Sequence, residues 1–285
     1  MKHIHCKFRQ TAASLAIAMV VSLSLCRVTN AEEPTGGDTP AQATNNASPG
    51  TAAAAPDEDW HADLALYLWL AGTHGTIGIG GHDVDYRASP SDLLSHFRFG
   101  LMGTVQANHG RFVLINDLMW VRLRATNTTT LPLPGQPTLS AEAKAWQFIL
   151  TPEIGYRFLD REKIKIDALM GLRYWHVGSS LQFTPSPFGR TFSGSLNWAD
   201  PLMGTRILFP LSPKLLVTIW GDAGGWGAGS QLDYQIFGAI GYRLSEKFSL
   251  GGGYRYLFVN YRPGNSGIYE SALSGAVIGV NYHYK

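Results

Sequence analysis

The feature that most constrains the fold of this chain is a period-two alternation of apolar and polar residues that recurs from Trp60 onward. Alternation of this kind places the two sets of side chains on opposite faces of a β-strand. In the first segment one face carries only leucine, at Leu64, Leu66, Leu68 and Leu70. Ten such segments occur, at about 60–71, 97–108, 111–126, 140–158, 163–182, 192–209, 214–229, 232–244, 247–261 and 269–284. They predict an all-β protein.

The connections between these segments sort into two kinds. The second, fourth, sixth and eighth are short, whereas the first, third, fifth and ninth run from about seven to 25 residues. Tight turns at one end and longer loops at the other are typical of a closed antiparallel transmembrane β-barrel of the outer-membrane type. We therefore predict about ten strands, within a range of 8–12. The seventh connection, at Ser230-Gln231, is short where a long loop is expected.

A soluble β-sandwich is the alternative all-β architecture, since it alternates in the same way. It would not need so many segments of 12 or more residues. A tilted strand of about 9–11 residues already crosses a bilayer. Segment length therefore favours the barrel.

The motif Gly-x-Arg recurs within five segments and predicts which face of the barrel is polar. Its glycine and arginine share a face, while the intervening residue, three times tyrosine, joins the apolar neighbours. A charge facing lipid at mid-membrane costs about 2–4 kcal/mol, so the arginines are expected to point inward. The same parity turns five acidic residues inward. The five motifs begin at Gly155, Gly171, Gly204, Gly241 and Gly253, and the acids are Glu153, Asp167, Asp200, Asp222 and Asp233.

We predict a charge network inside the lumen, in which arginines 173, 206 and 255 pair with aspartates 167, 200 and 222. Two functions follow from such a network. Either the paired charges fill a closed structural barrel, or they line a narrow pore for ions or small polar solutes. The predicted network comprises Glu153, Asp167, Arg173, Asp200, Arg206, Asp222 and Arg255.

Asp117 does not fit this scheme, because it shares a face with Val113, Ile115, Met119 and Val121. Two explanations remain open at this point. Either a bulge shifts the register of that strand by one residue, or the acid lies near an interface.

The N-terminal region predicts export, and together with the barrel pattern it predicts a location in the outer membrane of a Gram-negative bacterium. A positive start, an apolar stretch from Ala12 to Leu25 and the small residues ending at Ala31 form a signal peptide, residues 1–31. Residues 32–56 have no aromatic residue and no hydrophobic period, which predicts a disordered periplasmic tail before a barrel at 57–285. Cys6 and Cys26, the only cysteines, precede the cleavage site, so no disulfide is expected in the mature chain. A net charge of +2 gives no indication of a nucleic-acid partner.

The C-terminal residues resemble the signal that the outer-membrane barrel-assembly machinery reads. Gly279 is followed by two aromatics at alternate positions, Tyr282 and Tyr284, although Val277 occupies the upstream polar position and Lys285 follows the last aromatic. The stretches 198–206 and 221–227 are similar to patterns in a group of largely uncharacterised bacterial outer-membrane β-barrel proteins. The resemblance spans about residues 60–285. It implies a location and a fold, and it supplies no catalytic residues. Outer-membrane lipid and the barrel-assembly machinery are the expected partners.

Outer-membrane enzymes are a second class of function that the sequence allows. A protease-like site would use acids and histidines of the first long loop, among them His74, Asp92 and His96, and a lipid deacylase-like site would pair His176 with Ser179 or Ser180. A metal site from His82, Asp83 and Asp85 is a further possibility. These residue types are common in solvated loops. We therefore predict no enzymatic activity, no metal and no cofactor.

Overall fold

A computed structural model describes residues 60–79, 82–130, 138–184, 189–264 and 267–284. The predicted signal peptide (1–31) and tail (32–56) lie outside the described residues. All described residues fall within the segment assigned to the barrel.

The described part of the chain forms eleven β-strands and one short helix, and neighbouring strands pair antiparallel. The helix α1 (Pro90–Ser95) lies between the second and third strands. The strands are β1 (Trp60–Ile79), β2 (His82–Ala88), β3 (Phe97–His109), β4 (Phe112–Thr130), β5 (Thr138–Arg161), β6 (Ile164–Thr184), β7 (Thr191–Ser212), β8 (Leu215–Gly225), β9 (Leu232–Arg243), β10 (Phe248–Tyr261) and β11 (Ile268–Tyr284).

Ten of these strands close a barrel. The sheet runs in the order β11-β10-β9-β8-β7-β6-β5-β4-β3-β1, and β11 pairs again with β1. This closing seam is long, from Ala62 opposite Tyr284 to Gly78 opposite Ile268. The eleventh strand, β2, pairs with part of β1 and with no other described strand. The predicted closed antiparallel barrel of about ten strands is confirmed.

Alternate residues along the strands separate an apolar outer face from a packed interior. On β6, Met170 and Leu172 are about half exposed, whereas Asp167 and Arg173 are fully buried. The tyrosines between the glycine and arginine of the repeated motif also face outward, as predicted. They are Tyr156, Tyr242 and Tyr254.

The two ends of the barrel differ as the connection lengths predicted. β3 and β4 are joined through Gly110, which adopts a positive φ of 56°, and three more tight turns lie at the same end. Longer connections lie at the opposite end, which we call the long-loop end. The seventh connection is longer than predicted: β8 stops at Gly225, and residues 226–231 form the turn. Gly225, Trp226 and Gly227 have positive φ angles, which end the strand there. The seventh connection is therefore no longer an exception to the alternation of short and long connections.

Asp117 faces the barrel interior without any bulge. Its neighbours Val113, Ile115 and Met119 are also buried, so the apolar face of β4 is its inward face. The registers of β4 with β3 and with β5 run continuously past Asp117. Both explanations offered from the sequence were therefore wrong, because they assumed that an apolar face must meet lipid.

One interruption in the barrel wall was not predicted. The edge of β1 that pairs with β3 does so from Trp60 to Leu66 only, and from Thr73 to Ile79 it pairs with β2. Between these two ladders, residues 67–72 of β1 face residues 97–102 of β3 without strand pairing among the described residues. Where the sequence pattern predicts a loop, residues 72–79 extend β1, and residues 82–96 contain β2 and α1. We call residues 82–96 the strap.

Candidate functional site

The interior of the barrel holds ten buried acidic or arginine side chains among the residues that the structure describes. All seven predicted members lie there, with no more than 5% of the surface of each exposed. We call this set the charge network: Asp117, Glu153, Arg157, Asp167, Arg173, Asp200, Arg206, Asp222, Asp233 and Arg255.

Arg173 is the centre of the network and is completely buried. Its guanidinium donates hydrogen bonds to Asp222 Oδ1 at 2.8 Å and to Asp233 Oδ1. Its Nε donates to the Thr151 hydroxyl at 3.2 Å. Gln235 donates to the other oxygen of Asp222 at 2.8 Å. The partners come from β5, β8 and β9, so one side chain of β6 joins four strands.

Asp167 is a second centre, near the tight-turn end. Arg157 Nε donates to its Oδ1 at 2.8 Å, and Arg206 Nη2 donates to its Oδ2 at 2.7 Å. Arg206 also donates to the side-chain oxygen of Gln106 on β3. Because β7 and β3 lie on different sides of the barrel, this contact crosses the lumen.

Arg255 forms the third centre with Asp117, which lies on β4. Arg255 Nη2 lies 2.8 Å from Asp117 Oδ2, and Arg255 Nη1 donates to the Tyr67 hydroxyl at 2.9 Å. Tyr67 and Thr104 each donate to Asp117 Oδ1 at 2.8 Å. The guanidinium carbon lies 5.0 Å from the ring centre of Trp69, a cation–π distance. The sequence pattern does not predict Asp117 as a member of the network, because its face of β4 is otherwise apolar.

Asp200 has a different role from the one predicted. It lies opposite Arg173 in the β6–β7 register, yet its carboxylate accepts from the Trp198 indole at 2.9 Å and from the Ser230 backbone amide. These bonds hold the β8–β9 turn. The predicted pairing of Asp200 with an arginine is therefore wrong. Asp233 pairs with Arg173 and Asp117 pairs with Arg255 instead.

Glu153 is buried, with 3% of its surface exposed. Neither carboxylate oxygen accepts a hydrogen bond from a described residue. The other carboxylates of the network have such partners. Glu153 is thus placed inside the network but is not fixed by it.

An apolar cluster fills the barrel between the charge network and the long-loop end. On β6, Trp175 and Val177 follow Arg173 in that direction, and on β10, Leu257 and Val259 follow Arg255. Trp198 stacks on Trp175 and on Tyr261, with ring centres 5.5 and 4.2 Å apart. Trp226 lies outside this cluster and is 58% exposed in the β8–β9 turn.

A cavity of about 180 Å³ adjoins this cluster beside the strap. Its walls are mainly apolar and include Trp69, Met102, Met119, Val177 and Leu273. We call this cavity the chamber. It lies at the interruption between β1 and β3.

The predicted assembly-signal residues all lie on β11. Gly279 faces Tyr67 of β1 at the seam, where an added Cβ would lie 2.8 Å from the Leu66 carbonyl oxygen. Tyr282 packs against Phe248 with ring centres 5.3 Å apart, and Tyr284 is 65% exposed.

The residues considered for catalysis are not assembled into a site. Alternation places His176 and Ser179 on opposite faces of β6, and among the described residues neither Ser179 nor Ser180 is hydrogen-bonded to His176. Asp92 caps α1 by accepting from Ser89. No three His, Cys, Asp or Glu side chains in the described ranges are grouped as metal ligands.

Comparisons with known proteins give structural similarity only. No protein-family model matches the chain, and no curated protein does. Among solved structures, the barrel is similar to the outer membrane protease OmpT from Escherichia coli, with 11% identity, a TM-score of 0.47 and coverage of 79% of this chain and 96% of that one. It is also similar to the translocator domain of the autotransporter NalP from Neisseria meningitidis (14% identity, TM-score 0.39, coverage 79% and 89%) and to the attachment invasion locus protein Ail of Yersinia pestis (11%, 0.34, 80% and 100%). None of the described helices is long and apolar enough to span a membrane.

Proposed function

We propose that this chain is a bacterial outer-membrane β-barrel protein whose lumen is closed to ions by its charge network. The observation that carries the proposal is that network side chains connect opposite walls. Arg255 reaches from β10 to Asp117 on β4, and Arg206 reaches from β7 to Gln106 on β3. A barrel of about eight strands is already narrow enough for its own side chains to fill. With long arginines that bridge the walls of a ten-stranded barrel, we expect no path for ions.

The outward face supports a location in lipid. The side chains that face outward on β1, β6 and β9 are largely apolar, among them Leu66, Met170 and Ile240, each more than half exposed. Burying such a face in hydrocarbon is favourable, whereas water would leave it a large apolar surface. Outer-membrane lipid is thus the proposed surrounding partner of the barrel. The barrel has no proposed cofactor or catalytic activity.

Planar-bilayer recording tests the closed lumen. We expect the refolded wild-type protein to give no discrete current steps, because buried side chains that bridge opposite walls offer no hydrated path. Folding is verified on the same sample by a migration shift between unboiled and boiled gel samples. Discrete steps in the wild type that disappear in Arg255→Met would contradict the closed barrel and favour a narrow pore.

The proposed assembly partner leads to a prediction for the last strand. We expect Tyr282→Ala combined with Tyr284→Ala to reduce the amount of folded barrel in the outer membrane several-fold, because both aromatics of the recognition pattern are removed. Tyr156→Ala is the matched control, since Tyr156 is also an outward-facing tyrosine near the tight-turn end. Heat-modifiable protein in membrane fractions is the measurement. Equal amounts in both variants would contradict a recognition role.

A further inference from the structure

We propose that the chamber binds the hydrocarbon chain of a fatty-acyl compound, which enters sideways through the wall between β1 and β3. This inference rests on the proposed membrane location but not on the lumen being closed. A membrane lipid and a free fatty acid share the relevant chemistry. Each has an unbranched hydrocarbon chain that ends in a carbonyl or carboxylate group.

The wall is open where the chamber meets it. Strand pairing between β1 and β3 ends at Leu66 and Gly103. Beyond that point the Trp69 amide donates to the sulfur of Met102 at 3.4 Å, where a continuous sheet would offer a backbone carbonyl. A thioether is a weak acceptor on a flexible side chain. We call this interruption the portal.

The lining of the chamber shows that it passes through the wall. Four consecutive residues of β1, Leu68 to Ala71, all line it. In a strand, consecutive side chains point to opposite faces. Leu68 is 40% exposed on the outer face, whereas Trp69 is buried on the inner face. A cavity that touches both sets must cross the edge of the strand, and so connects the barrel interior with the lipid-facing surface.

The chamber suits an apolar ligand in size and chemistry. An engineered apolar cavity of about 150 Å³ in another protein stays dry and binds benzene, so about 180 Å³ is enough for part of a hydrocarbon chain. The charged residues that line it, Asp92 and Arg124, belong to the strap and to the long-loop half of β4. The charge network does not line it. The chamber therefore ends above the network.

Two unpartnered donors define the polar part of the ligand. Trp69 Nε1 and Gln147 Nε2 are buried, line the chamber, and donate to no described residue. Both are N–H donors, and a buried donor without an acceptor costs about 1–3 kcal/mol. An acyl carbonyl or carboxylate oxygen supplies the missing acceptor. A plain hydrocarbon does not, which is why we specify a fatty-acyl compound.

The strap covers the portal without filling it. Leu93 and Leu94 of α1 line the chamber, yet no residue of α1 is buried. The strap lies close to β1 because Gly72 has no side chain: a Cβ there would lie 3.1 Å from the Ala88 carbonyl oxygen and from Pro90 Cδ. The cover is thus a loosely packed turn of helix that is held at its start by the Ser89–Asp92 capping box.

Photolabelling with mapped adducts tests this proposal. The probes are a 16-carbon fatty acid with a mid-chain diazirine, and vesicles of a phosphatidylcholine that carries the same acyl chain. After irradiation of the folded full-length mature barrel, adducts are located by mass spectrometry. We expect adducts on inward residues of the chamber, such as Met102, Met119, Val177 and Leu273. The probe that produces these inward adducts, fatty acid or phosphatidylcholine, identifies the source of the bound chain.

Two variants separate chamber binding from contact with surrounding lipid. Val177→Trp fills the chamber, and we expect loss of inward adducts with outward adducts unchanged. Val105→Trp is the matched control because Val105 is an outward residue, 53% exposed, that does not line the chamber. Gln147→Leu keeps the size of the side chain and removes one donor. We expect it to weaken inward labelling by about fivefold, as for one lost hydrogen bond. It also serves as the test should Val177→Trp fail to fold.

Adducts confined to outward residues in both arms, with wild-type protein shown to be folded, would overturn the proposal. Inward adducts that persist unchanged in both Val177→Trp and Gln147→Leu would overturn it as well. Current steps in planar bilayers would contradict the closed lumen and leave this labelling result untouched, so the two failures are distinguishable.

Discussion

Replacing Arg173 by methionine is expected to lower the free energy of unfolding by about 3–5 kcal/mol, because it leaves two buried carboxylates without their cation. Arg173 is the shared partner of Asp222 and Asp233, and all three side chains are inaccessible to solvent. Methionine keeps much of the volume, so packing loss adds little. The measurement is a denaturant titration of the refolded barrel in detergent, followed by tryptophan fluorescence and by heat-modifiable migration.

The chain contains a matched control for this substitution. Arg243 occurs in the same Gly-x-Arg motif, on β9, but it is exposed at the tight-turn end. We expect Arg243→Met to change stability by no more than about 0.5 kcal/mol, as is usual for surface substitutions. Equal effects of the two substitutions would show that the motif, and not the interior network, sets the stability.

Replacing Gly275 by valine is expected to destabilise the barrel by about 3 kcal/mol, at the upper end of the cost of overpacking. Gly275 lies on β11 at the seam with β1, opposite Ala71. A Cβ at this position would lie 2.0 Å from the Leu70 carbonyl oxygen, so the two strands must move apart. Because this seam closes the barrel, we also expect a larger fraction of unfolded protein after refolding, measured on unboiled gels.

Gly238 on β9 is the control for the seam. No atom lies within 4 Å of a Cβ built there, and β-branched residues suit strands. Gly238→Val should therefore leave the folded fraction and the unfolding midpoint near the wild-type values. Loss of folding in both variants would indicate that any strand glycine is required, and would contradict a specific role for close approach at the seam.

The barrel itself was predictable from two features of the sequence, the alternation of apolar and polar residues and the lengths of the connections. Alternation separates an outward-facing set from an interior set, and it predicts Arg173, Asp167 and Leu172 on the faces where the structure has them. Connection lengths predicted which end carries the tight turns. Both signals are local, so they need no knowledge of which strands meet across the barrel.

The strap was missed because its signals are short and contradictory. β2 has only seven residues and follows a glycine-rich stretch that predicts a loop. Its pairing with β1 replaces pairing with β3, a choice between two partners that alternation does not reveal. The chamber and the portal depend on that choice. They were therefore not predictable from the sequence.

The ion pairs were predictable as a set but not individually. Parity turned the acids and arginines inward, yet which carboxylate each guanidinium meets depends on strand stagger and on distance across the lumen. Asp200 is adjacent to Arg173 in the sheet, but Arg173 reaches past it to Asp222 and Asp233. Asp117 was excluded because its face is otherwise apolar. The inward face of a strand can be charged in one layer of the interior and apolar in the next. The sequence argument assumed that each face of a strand is either polar or apolar along its whole length.

The central claim is that buried charges on different strands are paired with each other inside the barrel, and a double-mutant cycle tests it most directly. Unfolding free energies are measured for the wild type, Arg173→Met, Asp222→Asn and the double variant. We predict a coupling energy of about 2 kcal/mol or more, because each single change leaves the other partner buried without its counter-charge. Strictly additive effects of the two substitutions would contradict the pairing, and with it the closed lumen.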